Sequence, residues 1–180
     1  MQYCYSCKNN QHLYEQGKAA FVYNRSMKSS IAAFKYGARK EYGRYYAVEL
    51  AKKHESWIKK TGAQALIPVP IHKERHKKRG YNQAEILARE LGKRTGIAVC
   101  TDRLLRIRNT RPLKLFDRKE RMEVLQGAFA VRSSSDFPEN ILLIDDIYTS
   151  GSTMEHAAGI LKRAGVQNVY FLTVSIGQER

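Results

Sequence analysis

The segment from Ile141 to Thr153, ILLIDDIYTSGST, contains side chains that could bind a sugar phosphate. Its first four residues are apolar and predict a buried strand, after which come two adjacent carboxylates, Asp145 and Asp146. In open α/β sheets, ligands bind outside the carboxyl ends of the strands, so both acids should lie at that edge. Carboxylate oxygens suit ribose hydroxyls and Mg²⁺. The acids therefore predict a site for the sugar part of a phosphorylated ligand.

A loop of small residues follows the acids and leads into a helix. Its members are Tyr148, Thr149, Ser150, Gly151, Ser152 and Thr153. Small side chains let backbone N–H groups converge on a phosphate, and the dipole of the following helix adds attraction. Ser152 and Glu155 have the spacing of a capping box, which predicts that Ser152 caps that helix. The alternative is an ordinary helix start with two solvated acids before it, but the whole arrangement favours a phosphate site.

Basic residues are concentrated in two segments predicted to be loops. The first, from His72 to Arg79, follows a buried-strand candidate and should lie at the same sheet edge as Asp145. The second covers residues 108–121, which are polar, basic and interrupted by Pro112, as in a long exposed loop. Both could contact phosphates, although a solvated charged surface is the usual alternative for such runs.

Strand and helix patterns alternate along the chain and predict an α/β fold with a mainly parallel sheet flanked by helices. The strand candidates are Ala19–Tyr23, Ala65–Val69, Ile97–Cys100, Leu104–Ile107, Ala128–Val131, Ile141–Ile144 and Val169–Val174. Apolar stripes predict four helices, over Met27–Phe34, Ala47–Ile58, Ala84–Leu91 and Met154–Leu161, and Asn82 is the candidate N-cap of the third. Residues 1–18 form an irregular lead-in, and residues 19–180 form one domain.

The chain carries 32 basic and 17 acidic side chains, a net charge of +15. Such an excess favours polyanionic partners, either nucleic acid or phosphorylated small molecules, although a merely basic surface is equally compatible with it. No run of 18 apolar residues and no signal stretch are present, which predicts a cytoplasmic protein without a membrane span.

Tyrosine and basic residues are interleaved between positions 35 and 46. They are Lys35, Tyr36, Arg39, Lys40, Tyr42, Arg44, Tyr45 and Tyr46. Because aromatic rings can stack on bases while cations contact phosphates, the cluster suits single-stranded DNA. The alternative is that several of these tyrosines pack in the core.

Cys4 and Cys7 form a C-x-x-C pair, and His12 follows. Structural zinc normally takes four nitrogen or sulfur ligands, and no second C-x-x-C pair is present. Cys4 and Cys7 are therefore candidate zinc ligands in the remnant of a ribbon, with a complete zinc site as the alternative. Cys100 is the third cysteine, and three thiols form no disulfide framework, which predicts a reducing compartment.

The segment from Ile141 to Thr153 closely resembles the motif with which type I phosphoribosyltransferases bind 5-phosphoribosyl diphosphate (PRPP). The resemblance implies their fold and a site for PRPP with Mg²⁺. It makes Asp145 and Asp146 the candidate catalytic pair, contacting the ribose 2- and 3-hydroxyls. The loop from Tyr148 to Thr153 would then hold the 5-phosphate.

Further motifs resemble the ComF/ComFC family of phosphoribosyltransferase-like proteins, which is associated with DNA uptake in natural competence. They are IPVPIHKERHKKRGYNQA (67–84), LLRIRNTRP (104–112), GAF (127–129), YN (23–24), MK (27–28) and FKYG (34–37). The resemblance implies a PRPP-binding protein linked to DNA uptake, with single-stranded DNA and proteins of the competence machinery as partners. The alternative is an active phosphoribosyltransferase that acts on a nitrogen base.

The same resemblance assigns roles to the two basic segments. The first would contact the pyrophosphate through Arg75, Lys77, Lys78 and Arg79. The second matches the position of the flexible loop that covers the ligand, with cations at Arg111, Lys114, Arg118 and Arg121.

Overall fold

A computed structural model describes residues 11–110, 118–132 and 136–177. The strands of its main sheet are β1 (Gln16–Val22), β2 (Ala65–Pro68), β3 (Ala98–Val99), β6 (Asn140–Tyr148) and β7 (Asn168–Ile176). They are all parallel and lie in the spatial order β1–β7–β6–β2–β3. Two further strands, β4 (Leu104–Arg106) and β5 (Phe129–Val131), form a small antiparallel sheet.

Helices cover both faces of the main sheet. They are α1 (Arg25–Tyr36), α2 (Glu41–Thr61), α3 (Lys73–Arg79), α4 (Gln83–Thr95), α5 (Arg118–Leu125) and α6 (Ser152–Arg163). α1, α2 and α4 pack on the face that includes Leu142 and Ile144. α6 packs on the face that includes Ile141 and Leu143, together with residues of α5 and the small sheet. The predicted parallel α/β fold is therefore confirmed, with β6 buried on both faces.

The chain reverses its winding direction between β2 and β6. From β2 it crosses through α3 and α4 to β3 on one side, whereas from β6 it crosses through α6 to β7 on the other. The end of β2 lies beside the point on β6 where the two acids begin, because Pro68 pairs with Ile144 and the Val69 N–H donates to the Ile144 carbonyl at 2.9 Å. Such a switch point opens a crevice at the carboxyl edge of a sheet, where ligands bind in this class of fold.

Several predicted boundaries differ from the structure. The first basic segment is not a loop: Lys73–Arg79 forms α3, which begins at the His72 cap and ends at Gly80 in the left-handed conformation. The second basic segment ends within α5, because Arg118 already belongs to that helix. β1 begins at Gln16, inside the predicted lead-in, since Gln16 pairs with Tyr170 of β7.

Two predictions about helix starts have opposite outcomes. Asn82 does cap α4, because its side chain accepts a hydrogen bond from the Ala84 N–H at 3.1 Å. The capping box at α6 is wrong: Gly151 is the N-cap and no side chain caps the helix. Glu155 instead accepts the Leu13 N–H at 3.1 Å and contacts His12. In the described part of the chain, no helix combines the length and apolar character needed to cross a membrane.

Candidate functional site

A cleft of about 490 Å³ lies at the switch point between β2 and β6. Asp145 and Asp146 line it from β6, and Val69, Pro70 and Ile71 line it from the end of β2. The walls are completed by residues of α1, α3, β4 and the starts of α4 and α6, together with Tyr23, Asn82 and Thr149. The cleft thus collects side chains from most of the sequence segments that were predicted to bind a ligand.

The two acids have different partners within the cleft. Asp146 is buried and its carboxylate lies 2.6 Å from the Lys35 Nζ of α1. Asp145 is half-buried, and its carboxylate accepts the Asp146 N–H at 2.8 Å. Because β6 continues to Tyr148, both acids belong to the strand and are held by its ladder rather than by a flexible loop.

Burial is the main cause of the raised pKa of Asp145. Loss of solvent, together with the negative charge of Asp146, raises the pKa of Asp145 to about 7, although Lys35 and Arg106 oppose the shift. Burial alone would lower the pKa of Lys35, but the ion pair with Asp146 outweighs it and the pKa is raised. At neutral pH the cleft therefore holds an ammonium–carboxylate pair beside a second carboxyl group that is close to its titration point.

The predicted phosphate loop contributes two side chains to the cleft, those of Thr149 and Thr153. Ser152 is buried, and its hydroxyl lies 3.0 Å from that of Ser150. Gly151 has φ = +78°, and a Cβ atom there would lie 2.6 Å from the Tyr148 hydroxyl, so the turn requires glycine.

The side chain of Tyr148 supports the loop from the core. It is 5% exposed, its ring stacks on Phe171, and its hydroxyl lies 2.7 Å from that of Tyr14. Because Tyr148 also lies against Gly151, it fixes the turn that starts α6. Any ligand contact from this position would come from the backbone.

Because the first basic segment is helical, its four predicted cations lie on different sides of the helix. Arg75 and Arg79 are one helical turn apart, and both are half-buried and line the cleft. Lys77 and Lys78 are exposed and are not among the residues that line it. Arg75 donates a hydrogen bond to the Thr110 carbonyl at 2.5 Å, and burial lowers its pKa. Two of the four predicted cations are therefore positioned for an anion in the cleft.

Arg106 lies within the motif LLRIRNTRP, but no sequence pattern assigns it a role. It lies at the end of β4 and lines the cleft, where one guanidinium nitrogen donates to the Thr110 hydroxyl at 2.5 Å. Its buried Nε finds no hydrogen-bond partner among the described residues. Burial lowers the pKa of Arg106 to about 10, so it remains a cation at neutral pH. A buried guanidinium with an unused donor is well suited to a bound anion.

The remaining predicted ligands fall largely outside the described residues. Arg111 and Lys114 of the flexible loop lie there, as do Cys4 and Cys7. Arg118 and Arg121 belong to α5. Within the described ranges, no group of three or more His, Cys, Asp or Glu side chains could hold a metal ion. The zinc and flexible-loop assignments stay predictions.

The cleft at the switch point of a mostly parallel sheet, with helices on both faces, defines an α/β protein with a type I phosphoribosyltransferase-like fold. No protein-family model matches the chain. Curated relatives do: it is 30% identical to competence protein ComFC of Bacillus subtilis over 158 residues, which are 85% of this chain and 60% of the relative. The chain belongs to the ComF/ComFC family.

Two further relatives support this assignment. Competence protein ComFC of Streptococcus pneumoniae is 31% identical over 156 residues, or 84% of this chain and 64% of the relative. Competence protein F of Haemophilus influenzae is 32% identical over 108 residues, or 59% of this chain and 47% of the relative. The chain thus spans less than two thirds of the length of each of these relatives.

Proposed function

We propose that this protein binds PRPP together with Mg²⁺ in the cleft at the switch point, and that it serves DNA uptake. The observation that carries the proposal is the composition of the cleft, where one acid pair, three arginines and the start of α6 converge. A ligand that carries a ribose and two separate phosphate groups is complementary to such a set. Each part of the ligand has a matching group.

The phosphates are assigned to the positively charged parts of the cleft. The backbone N–H groups at the start of α6 and the hydroxyls of Thr149 and Thr153 would hold the 5-phosphate. Arg75, Arg79 and Arg106 would contact the diphosphate, since guanidinium groups donate two parallel hydrogen bonds to such oxygens.

The ribose hydroxyls are assigned to Asp145 and Asp146. A carboxylate accepts hydrogen bonds from hydroxyls, and the Lys35 ammonium holds the Asp146 carboxylate in the cleft at 2.6 Å. When bound with the ligand, Mg²⁺ would neutralise charge on the diphosphate. Asp145 and Asp146 are the acidic residues that line the cleft, and its other charged residues are lysines and arginines. The acid pair is therefore the group in the cleft that could hold the cation.

Phosphoribosyl transfer is the alternative for the same cleft. A nitrogen nucleophile would attack the anomeric carbon of PRPP as its bond to the diphosphate oxygen breaks. Positive charge that develops on the sugar would be stabilised by the two carboxylates, and the departing diphosphate by the arginines. Turnover with a nitrogen base would establish this activity, whereas binding alone would favour a ligand-sensing role.

The link to DNA uptake is supported by the names of the relatives, which are competence proteins. Proteins of the competence machinery are the partners that this role requires.

Calorimetric titration of PRPP with Mg²⁺ tests the proposal directly. The wild type should show saturable binding, and an Asp145→Asn/Asp146→Asn variant should bind at least about 100-fold more weakly, because each carboxylate contact with a hydroxyl contributes about 1.5–3 kcal/mol. The matched control is Asp102→Asn/Asp136→Asn, which removes two exposed acids outside the cleft. Absence of binding by folded wild type, or an equal loss in both variants, would rule the PRPP site out.

Single-stranded DNA is a second candidate ligand. Tyr36 and Tyr45 are 73% and 57% exposed, and the chain carries a net charge of +15. Tyr46 is in contrast 1% exposed, so the structure supports only part of the predicted aromatic cluster. Exposed rings and cations suit the bases and phosphates of a single strand.

Salt dependence separates the two candidates. Binding of a fluorescent oligonucleotide through about four phosphates should weaken about 50-fold between 50 and 200 mM salt. PRPP binding should change much less over the same range. Anisotropy titrations of wild type and Asp145→Asn/Asp146→Asn provide the measurement, and a shallow salt response of the oligonucleotide would exclude backbone-directed DNA binding.

A further inference from the structure

The last turn of α1 presents two adjacent residues to the cleft. Lys35 reaches inward to Asp146, whereas Tyr36 stays at the rim and is 73% exposed. Tyr36 is the most exposed of the large hydrophobic residues in the described part of the chain. Single exposed aromatic residues are common on protein surfaces, so it is the position of Tyr36 at the rim of the cleft, not its exposure alone, that indicates a role.

Arg79 holds the Tyr36 ring in place. Its guanidinium carbon lies 4.9 Å from the ring centroid, and one of its nitrogens donates to the Tyr36 hydroxyl at 3.1 Å. Arg79 itself is half-buried and lines the same cleft. The ring is therefore ordered by a cation–π contact and a hydrogen bond, yet most of its surface remains open.

The other walls of the cleft account for a sugar and its phosphates but not for this ring. The acid pair suits ribose, and the arginines and the start of α6 suit phosphates. An ordered, open aromatic ring beside such a site suits a flat aromatic group attached to the sugar. Heterocyclic bases of nucleotides are such groups, and every base has a face that can stack.

We propose that Tyr36 is a stacking platform for the base of a nucleotide whose ribose 5-phosphate occupies the cleft. The proposal rests on the proposed function, because the same acid pair and phosphate loop must hold the ribose phosphate. Stacking on one ring does not distinguish bases by hydrogen bonding, so recognition extends to purines and pyrimidines alike. The nucleotide is either free or the 5-phosphorylated end of a DNA strand, since both present the same chemistry.

The test compares a ligand without a base with ligands that carry one. Calorimetry with PRPP and Mg²⁺, with a nucleoside 5-monophosphate, and with a 5-phosphorylated hexamer of thymidine would be performed on wild type and Tyr36→Leu. The substitution should weaken nucleotide binding about 5- to 150-fold more than PRPP binding, which can change only through the contact of Tyr36 with Arg79. Tyr36→Phe, which retains the ring, should bind the nucleotide with at most a small loss. Proton resonances of the bound base should shift upfield in wild type and Tyr36→Phe only.

Tyr45→Leu is the matched control. Tyr45 is also exposed and stacks on Phe21 at 6.5 Å between centroids, but it does not line the cleft, so its loss should not affect nucleotide binding. If Tyr36→Leu weakens binding of the monophosphate but not of the hexamer, the ligand is a free nucleotide. If it weakens binding of both, the ligand is the end of a strand. Normal nucleotide affinity in Tyr36→Leu would overturn this inference alone, as would an equal loss for PRPP. Failure of the wild type to bind PRPP would overturn the proposed function and this inference with it.

Discussion

Replacing Lys35 with methionine is expected to lower the free energy of unfolding at pH 7 by about 3 kcal/mol. The substitution leaves the buried Asp146 carboxylate, together with Asp145, without the ammonium group that lies 2.6 Å from Asp146. Removing one partner of a buried ion pair typically costs about 3–5 kcal/mol, and the lower value applies because the Lys35 side chain retains 21% of its exposure. Urea denaturation monitored by the fluorescence of Trp57 provides the measurement.

Two comparisons isolate the ion pair. Lys59→Met removes the partner of Glu55 at 2.7 Å, but both side chains are largely exposed, so the cost should be below about 0.5 kcal/mol. Adding Asp146→Asn to Lys35→Met should restore most of the lost stability, because it removes the buried charge that lost its partner. The ion pair does not stabilise the contact between α1 and β6 if Lys35→Met lowers the free energy of unfolding no more than Lys59→Met does. The same conclusion follows if the effects of Lys35→Met and Asp146→Asn on this free energy are additive.

The parts of the site that were predictable are local in sequence. β6, the loop and α6 form one continuous segment, in which an apolar run, small residues and an apolar stripe follow one another. The N-cap at Asn82 was also predictable, because a cap and the helix that it caps are adjacent in the sequence. Such features depend on backbone geometry and on the burial of residues that are close in sequence, so a short sequence pattern is enough to predict them.

The parts that were missed depend on distant segments. Lys35 and Asp146 are 111 positions apart, and they meet because α1 packs across the same face of the sheet on which Asp146 lies. Arg106 reaches the cleft only because β4 ends beside it, and a single arginine in a short strand carries no signal of that position. Their roles could have been found only from the tertiary structure.

The helical conformation of α3 was missed for a different reason. From Lys73 to Arg79 the sequence contains no apolar residue, and none of these side chains is buried, so no hydrophobic periodicity exists. The helix is defined by its His72 cap, by Gly80 and by the contact of Arg75 with Thr110. The capping box failed because Glu155 interacts with His12 and Leu13, far away in the sequence.

Asp145→Asn is expected to stabilise the protein at pH 8 and to have little effect on stability at pH 4. Burial raises the pKa of Asp145 from 3.8 to about 7, so between these values the folded state binds a proton that the unfolded state has released. The stability associated with this group is therefore complete below about pH 4 and is lost as the pH rises through 7. A shift of this size corresponds to at most about 4 kcal/mol, of which we expect about 2 to be recovered in the variant.

Urea denaturation of the wild type and Asp145→Asn at pH 4, 6 and 8 measures this effect, and the difference between the two proteins cancels the titration of all other groups. Asp102→Asn is the control: this acid is exposed and contacts Arg132 at 3.4 Å, so its replacement should give no stabilisation at any pH. A destabilised Asp145→Asn at pH 8 would mean that the carboxylate is well accommodated in the folded state. Stabilisation combined with lost PRPP binding would instead show that this acid is retained for the ligand at the expense of the fold.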